Sequence, residues 1–338
     1  MVMDMTTIYL VRHAEAEGNL CRRMHGQYDS NLTPNGLRQL QNLKKRFEDI
    51  RLDACYSSDL TRAENTAYAI CGKTYRVDPG FREVGVGEWE DLPFGYLNTF
   101  YGLKMTQFGK DPVNWKVEGS ESFRFYTKRF LESMEQAALR HEGGVIAIVS
   151  HSVVMRGVLT ALFPEEKIPH SANTAVSCLE YESGTYRVKF LNDCSHIDPK
   201  LLSSSRQKWW QQDGAQGDDT FWFQSGLTEL DGLTPPESPI TYTVLENQRP
   251  VGVICISEEG ESTGRVDYLG LIPAYRGHGL SIQMLGQAMF VVRAMGKKHL
   301  VLKAASDPAM EALCRKLAFR PADDDNLQLD LTLRIQEF

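Results

Sequence analysis

The chain has 338 residues, 42% hydrophobic, 24% charged and 10% aromatic, which suits about two folded domains and excludes extended disorder. Its 37 basic and 44 acidic residues give a net charge of −7, and neither half is basic: 23 basic and 25 acidic residues lie up to Ile197, then 14 and 19 beyond it. That balance argues against a nucleic-acid or anionic-membrane surface, so any bound anion must be held by a few local cations.

Thr7 to Val11 is a short β-branched and apolar run that predicts a buried strand, ending abruptly at Arg12-His13. Thr33-Pro34 supplies an N-cap followed by proline at the first helical position. Leu37, Leu40, Leu43 and Phe47 then fall on one apolar stripe. Leu52 to Tyr56 predicts a second strand, and Ser57-Ser58-Asp59 caps a helix with Arg62 in its first turn. A longer amphipathic helix is predicted over Glu121 to Arg140, stopped near Gly143-Gly144. Val145 to Val149 is a continuous apolar run, as in a central parallel strand, and it ends in Ser150-His151 before a helix from about Val153. Strand and helix alternate, which predicts a doubly wound α/β sheet with helices on both faces. Ligands of such sheets sit at the carboxyl ends of the strands. Two strands that each deliver a histidine to that edge form a constellation.

Ser171 to Phe190 reads as two strands joined at Glu182-Ser183-Gly184. After Cys194 the texture changes. Residues 198–239 mix serine, glycine and proline with Trp209, Trp210, Phe221, Trp222 and Phe223, which predicts a short linker running into irregular elements of a second domain. Regular patterns resume with strands predicted at 242–246, 251–257 and 265–272, and a long helix at 279–295. A strand at 299–304, a helix at 308–317 and a strand at 327–333 complete a mixed α/β domain. The expected domains are therefore 1–197 and 198–338, the second with a linker and irregular start over about 198–239. The seven cysteines, Cys21, Cys55, Cys71, Cys178, Cys194, Cys255 and Cys314, are odd in number and lack a Cys-x-x-Cys pair. They read as reduced core thiols, not as a disulfide framework or zinc site. No apolar run approaches the roughly 20 residues of a membrane helix, and no signal segment opens the chain, so a soluble cytoplasmic protein is expected.

The set Arg12-His13-Ala14-Glu15 with Asn19, Ser58-Asp59-Leu60-Thr61-Arg62-Ala63, Phe81-Arg82-Glu83 with Gly87-Glu88-Trp89-Glu90, and Val149-Ser150-His151 resembles the histidine phosphatase superfamily, the phosphoglycerate-mutase-like fold. Asn173-Thr174-Ala175-Val176, Leu191-Asn192-Asp193 and Ser195-His196 look like its closing strands, so the resemblance spans about residues 6–197. It implies a three-layer α/β/α domain that hydrolyses phosphomonoesters through a phosphohistidine at His13. A phosphoryl group in flight spreads charge over three oxygens, and the planar forks of Arg12 and Arg62 suit it. His151 would add a donor, and Glu83 would serve as acid and then base, with a raised pKa; Glu88 is the rival acid. Asn19 and Ser152 would line the substrate pocket. No metal is required by this charge arrangement. His25, His141, His170, His278 and His299 read as surface or structural. Two departures stand out: Ser152 where the family usually has glycine, and Asp91 where glycine often follows the Trp-Glu pair. The cap over Leu92 to Glu118 is rich in aromatics and has only Lys104, Lys110 and Lys116 as cations, which favours phosphatase over mutase activity.

Leu271-Ile272-Pro273-Ala274-Tyr275-Arg276-Gly277-His278-Gly279-Leu280-Ser281, between a strand and a long helix, resembles the pyrophosphate loop of the GNAT acetyltransferases. Glycines let backbone N–H groups approach phosphates, and the helix N-terminus adds its positive end. The resemblance spans about residues 205–335 and implies that Leu271, Arg276, Gly277, His278, Gly279, Leu280 and Ser281 bind acetyl-CoA for transfer to an amine. Asp307 and Cys314 stand where asparagine and a tyrosine acid are common, and Leu317-Ala318-Phe319 replaces Leu-Gly-Phe. With the tyrosine absent, thiolate protonation falls to Cys314, another group or water. The expectation is a bifunctional protein with a phosphorylated small molecule as one partner and acetyl-CoA with an amine acceptor as the other. The alternatives are a phosphatase whose second domain only senses acetyl-CoA, or a phosphoglycerate-mutase-type phosphotransferase.

Overall fold

The computed structural model describes residues 5–203, 220–303, 308–322 and 326–336. Its first sheet begins with β1 (Thr6–Arg12), and the helices α1 (Glu17–Cys21) and α2 (Pro34–Phe47) follow. Thr33 caps α2 by accepting from the Gly36 N–H, with Pro34 at the first helical position as the sequence predicts. β2 (Ala54–Ser57), α3 (Thr61–Cys71) and β3 (Arg76–Val77) come next, then α4 (Phe94–Lys110) and α5 (Phe123–Arg140). β4 (Val145–Ser150), α6 (Ser152–Leu162) and the hairpin of β5 (Val176–Glu182) and β6 (Thr185–Asp193) complete the unit. The strand order is β3-β2-β4-β1-β5-β6, with β1 to β4 parallel and the hairpin antiparallel.

Alternation along the two central strands builds three layers. Ile8, Leu10, Ile146 and Ile148 share one core with Tyr126, Phe130 and Met134 of α5 and Val154 and Val158 of α6. Val11, Ala147 and Val149 share the opposite core with Leu40, Leu43 and Phe47 of α2 and Ala63 and Ala67 of α3. Helices on both faces leave the carboxyl edge of the sheet as the place for a ligand.

The second sheet comprises β7 (Phe221–Ser225), β8 (Ile240–Glu246), β9 (Arg249–Glu259), β10 (Thr263–Leu271), β11 (His299–Lys303), β12 (Arg320–Pro321) and β13 (Asn326–Asp330). Its order is β12-β13-β11-β10-β9-β8-β7, antiparallel throughout except for β10 with β11. Helices α7 (Ile282–Ala294) and α8 (Pro308–Arg315) belong to it. The predicted irregular start contains a regular strand instead, because Phe221 is fully buried and β7 pairs along β8. Trp209 and Trp210 lie outside the described residues. The strand predicted at 327–333 ends at Asp330, and residues 331–336 run back across the first unit. There Asn31 Nδ2 donates to Thr332 O at 2.9 Å, and the Gln336 N–H donates to Asn65 Oδ1 at 2.7 Å. No helix among the described residues is long and apolar enough to cross a membrane.

Helix α7 is apolar nearly all round, which marks a helix covered on every side. One side packs on its own sheet; the other receives α1, whose Cys21 sits in the second core. Arg293 of α7 pairs with Glu17 of α1 at 2.8 Å. The cap helix α4 meets β7, with Phe100 edge-on to Trp222 at 5.0 Å between ring centroids. A Cβ on Gly286 of α7 would stand 2.5 Å from Cys21 Cβ, closer than carbons pack. Gly286→Ala is therefore expected to cost roughly 1–3 kcal/mol of stability, read as a lower urea midpoint; an unchanged midpoint would show that α1 is not fixed against α7.

Candidate active site

In the β1–β4 ladder Arg12 stands opposite Ser150, so the next residue of each strand, His13 and His151, leaves the sheet at the same level. The His13 N–H donates to Ser150 O at 2.9 Å, and the two imidazole centroids lie 5.1 Å apart, tilted by 54°. His13 Nδ1 lies 2.7 Å from the Ala14 carbonyl. A carbonyl only accepts, which assigns the proton to Nδ1 and leaves the Nε2 lone pair free. The loop beyond His13 is pinned by the buried Glu15 carboxylate, which accepts from Thr33 Oγ1 at 2.7 Å and Asn35 Nδ2 at 3.1 Å. His151 Nε2 lies 2.8 Å from Ser58 Oγ, and its buried Nδ1 has no hydrogen-bond partner among the described residues.

Two buried guanidinium groups share this edge. Arg62 is fully buried and donates to Tyr28 O and Gly26 O, each at 2.8 Å, with Asp29 3.7 Å away. Arg12 donates to Ser171 O. The Nε of each lacks a protein partner among the described residues. Burial lowers the Arg12 pKa to about 10, so it stays charged at neutral pH. Burial first, and the two arginines next, push His13 well below the usual imidazole range; burial and Arg62 do the same to His151. The free site thus combines fixed positive charge with neutral imidazoles, a setting that asks for an anion.

Glu83 stands at the N-terminus of α6, accepting from the N–H groups of Val84 at 2.9 Å, Val154 at 2.8 Å and Val153 at 3.2 Å. Those bonds favour the carboxylate, yet burial outweighs them and raises its pKa. Arg129 holds the loop by donating to Gly80 O and Arg82 O, both at 2.9 Å, and Glu83 O at 2.8 Å. Arg12, His13, Arg62 and Glu83 line one cavity of about 210 Å³, together with Asn19 and Ser152. His151 is fully buried beside His13 and does not itself line the cavity, and Glu88 is exposed outside it. Asn19 Oδ1 accepts from the Ala16 N–H at 3.0 Å and Asn173 Nδ2 at 3.3 Å. Met24, Val84, Val86, Phe94, Met105 and Phe108 make an apolar wall, the last three from the cap helix.

Arg23, His25 and His170 also line the cavity, and the sequence did not single them out for it. His25 accepts from the Gly18 N–H at 2.9 Å and lies 2.9 Å from Ser30 Oγ. These residues sit on loops without periodicity, so only the folded chain shows their direction. His13, His25 and His151 are all held below the usual imidazole pKa, burial first. Between a depressed folded pKa and an unfolded one near 6.5, the unfolded chain binds more protons, so stability falls as pH drops below about 6.5. The urea-derived stability is expected to decline on acidification from pH 6.5 to 5.5 by up to about 4 kcal/mol per pH unit for three histidines. A flat profile over that range would contradict the burial of neutral imidazoles.

The second unit presents a groove. Parallel pairing of β10 with β11 ends at Val266–Leu302, while β10 continues to Leu271 against β9 alone, with an irregularity between Val266 and Tyr268. The strands part, and a cavity of about 560 Å³ opens between Leu269, Gly270 and Leu271 on one side and Met310 and Leu313 of α8 on the other. Gly277 and Gly279 line it just before α7 with φ of 79° and 73°, a left-handed conformation that glycine alone takes freely. Ser281 lines it too, and the Lys316 amine lies 3.8 Å from where a Cβ on Gly279 would stand. Arg276 Nε donates to Leu271 O at 2.7 Å, tying the loop to the strand. His278 is exposed to solvent and Leu280 is buried in the core, and neither lines the groove. Cys314 is wholly inside the core, its thiol pushed up to about 12 by burial, and it does not line the groove; this removes it from the expected thiolate acids. Ala318 takes φ 67°, which explains the glycine of the resembling pattern. Asp307 lies outside the described residues.

The family model of the histidine phosphatase superfamily, branch 1, matches residues 8–194, and that of the acetyltransferase (GNAT) family matches residues 202–319. The solved structure of Bacillus stearothermophilus YhfR is 32% identical with a TM-score of 0.54, covering 57% of this chain and 100% of its own. "Probable phosphoglycerate mutase GpmB" of Yersinia pestis (strain Pestoides F) is 28% identical over 214 residues, 59% of this chain and 98% of that protein. A mycobacterial glucosyl-3-phosphoglycerate phosphatase, 21% identical with a TM-score of 0.51 over 56% of this chain and 99% of its own, shares the fold. Through the domain that carries His13 and His151, the chain belongs to the histidine phosphatase superfamily, branch 1, and a GNAT domain follows it in the same polypeptide.

Proposed function

We propose that the N-terminal domain hydrolyses phosphomonoesters through a phosphohistidine at His13. The observation that carries this is the neutral His13 imidazole lining one cavity with two buried arginines and a carboxyl of raised pKa, with the His151 ring 5.1 Å from it. His13 Nε2 attacks phosphorus; the N–P bond forms as the ester P–O bond breaks, and Glu83 gives its proton to the departing oxygen. Water then attacks the phosphohistidine, passing a proton back to Glu83 as the N–P bond breaks and phosphate is freed. Arg12, Arg62 and His151 carry the charge of the three phosphoryl oxygens in both steps. Asn19 and Ser152 border the substrate. The cations needed are side chains, so hydrolysis is expected to survive a chelator.

The apolar wall of Met24, Phe94, Met105 and Phe108 favours hydrolysis over a mutase reaction, in which a small, doubly anionic product must be retained for return of its phosphate. With 3-phosphoglycerate, release of inorganic phosphate supports this reading, and conversion to a phosphorylated isomer opposes it. His13→Ala is expected to abolish hydrolysis of phenyl phosphate, and Glu83→Gln to lower kcat by about 10²–10⁴. Activity surviving His13→Ala, or lost with a chelator, would sink the mechanism. Because His13 must be neutral and is shifted down, the acid limb of kcat/KM is expected below pH 6.5. Because Glu83 must enter protonated and is shifted up, the alkaline limb lies above its ordinary 4.5.

For the second domain we infer acetyl-CoA binding in the groove and transfer of the acetyl group to an amine. The parted strands and the glycine turn before α7 fit an acyl-CoA, whose pyrophosphate would meet the N–H groups from Gly277 to Ser281 with Lys316 beside them. Acetyl-CoA would supply the activated acyl group; the chain supplies the cradle. The removal of Cys314 from the groove favours keeping the acetyl-CoA sensor as a second reading. Gly279→Val is expected to weaken acetyl-CoA binding at least tenfold by calorimetry, since valine strains at φ 73°. Free thiol released with an amine panel supports transfer; binding without release across the panel supports the sensor.

A further inference from the structure

Arg23 stands where the two domains meet the phosphate cavity. It lines that cavity and also the small crevice between α1 and α7. The side chain is buried, ion-paired through Nε to Asp91 Oδ1 at 2.8 Å, and donates through Nη2 to the Asp91 carbonyl. Through Nη1 it donates to Gln287 Oε1 of α7 at 3.0 Å, and its Cζ lies 4.9 Å from the centre of the Phe290 ring. Three of the five guanidinium N–H groups are thereby fixed, and two have no partner among the described residues. Asp91 has a φ of 53°, a left-handed conformation that aspartate adopts more readily than most residues with a Cβ. Where glycine would supply the turn alone, the aspartate also supplies the carboxylate that holds Arg23. The second domain supplies the rest of the grip.

We propose that the GNAT domain is part of the phosphate site: Gln287 and Phe290, with Asp91, are positioning residues that hold the Arg23 guanidinium in the cavity wall. Asp91 offsets the charge that folding buries, and the two remaining N–H groups of a fixed guanidinium are available to a phosphorylated ligand. Anion binding at the N-terminal site then depends on the docked second domain. The Arg293–Glu17 pair, at 2.8 Å, anchors the same segment of chain at α1. The catalytic readout below rests on the phosphatase reading; the binding readout does not.

The test is a double-mutant cycle in the full chain, with inorganic phosphate titrated by calorimetry and phenyl phosphate as substrate. Gln287→Ala is expected to weaken phosphate binding roughly tenfold, the loss of one hydrogen bond to a charged group. Arg23→Ala should weaken it at least as much, and Gln287→Ala should add nothing in that background. Gln287→Glu, which still accepts from Arg23, should restore binding. KM for phenyl phosphate should follow the same pattern while kcat moves by less than about threefold. If Gln287→Ala does not fold, Phe290→Leu is read in the same way, with a smaller weakening that again vanishes beside Arg23→Ala. Unchanged phosphate binding in folded Gln287→Ala, or equal weakening in both backgrounds, would overturn the proposal. Absent hydrolysis with the binding cycle intact would count against the phosphatase reading alone.

Discussion

The structure turns on the burial of two guanidinium groups beside two imidazoles at one edge of a parallel sheet. A chain with net charge −7 has no general attraction for anions, so local charge must do that work. Burial makes the charge effective, because water screens it less and the positions are set by protein bonds. Arg62 pays for its burial with two carbonyl acceptors and nearby Asp29, all from the loop that follows α1. Burial first, and the positive field of the arginines next, keep His13 and His151 neutral, and a neutral His13 is what a nucleophile requires.

That field explains the architecture around it. Parallel pairing of β1 with β4 puts the two histidines side by side by register alone. The loop holding Arg62 begins where α1 ends, and α1 follows the loop after His13 and packs on α7 of the second domain. The two domains therefore share a packed helix and not merely a linker. In the second domain the groove ends on backbone: Gly277 and Gly279, both at positive φ, line it, and a helix begins behind them.

Much of this was legible in the sequence. The apolar runs that end in Arg12-His13 and Ser150-His151 disclosed both strands and their histidines, because strand period and an abrupt polar stop are local signals. Arg62 and Glu83 were implied by the resemblance to the histidine phosphatase superfamily, and the structure brings both to the cavity. Strand β7 was hidden because its aromatics sit among glycines and prolines, and its pairing with β8 is a long-range event. His25, His170 and Arg23 were missed for a related reason: a loop side chain takes its direction from tertiary contacts. Asp91 was visible only as a departure from glycine, and its ion pair with Arg23 gives that departure a physical basis. Cys314 occupies the expected helix position but faces the core, which helical periodicity at a single residue could not reveal.

The central claim is that His13 is the nucleophile. Its most direct test is to mix the full chain with phenyl phosphate, quench in alkali within a turnover, and locate the phosphoryl group by peptide mass spectrometry. The account requires an alkali-stable, acid-labile phosphoryl group on the peptide that contains His13. Phosphate released with no covalent enzyme species, or a phosphoryl group on another residue, would contradict it.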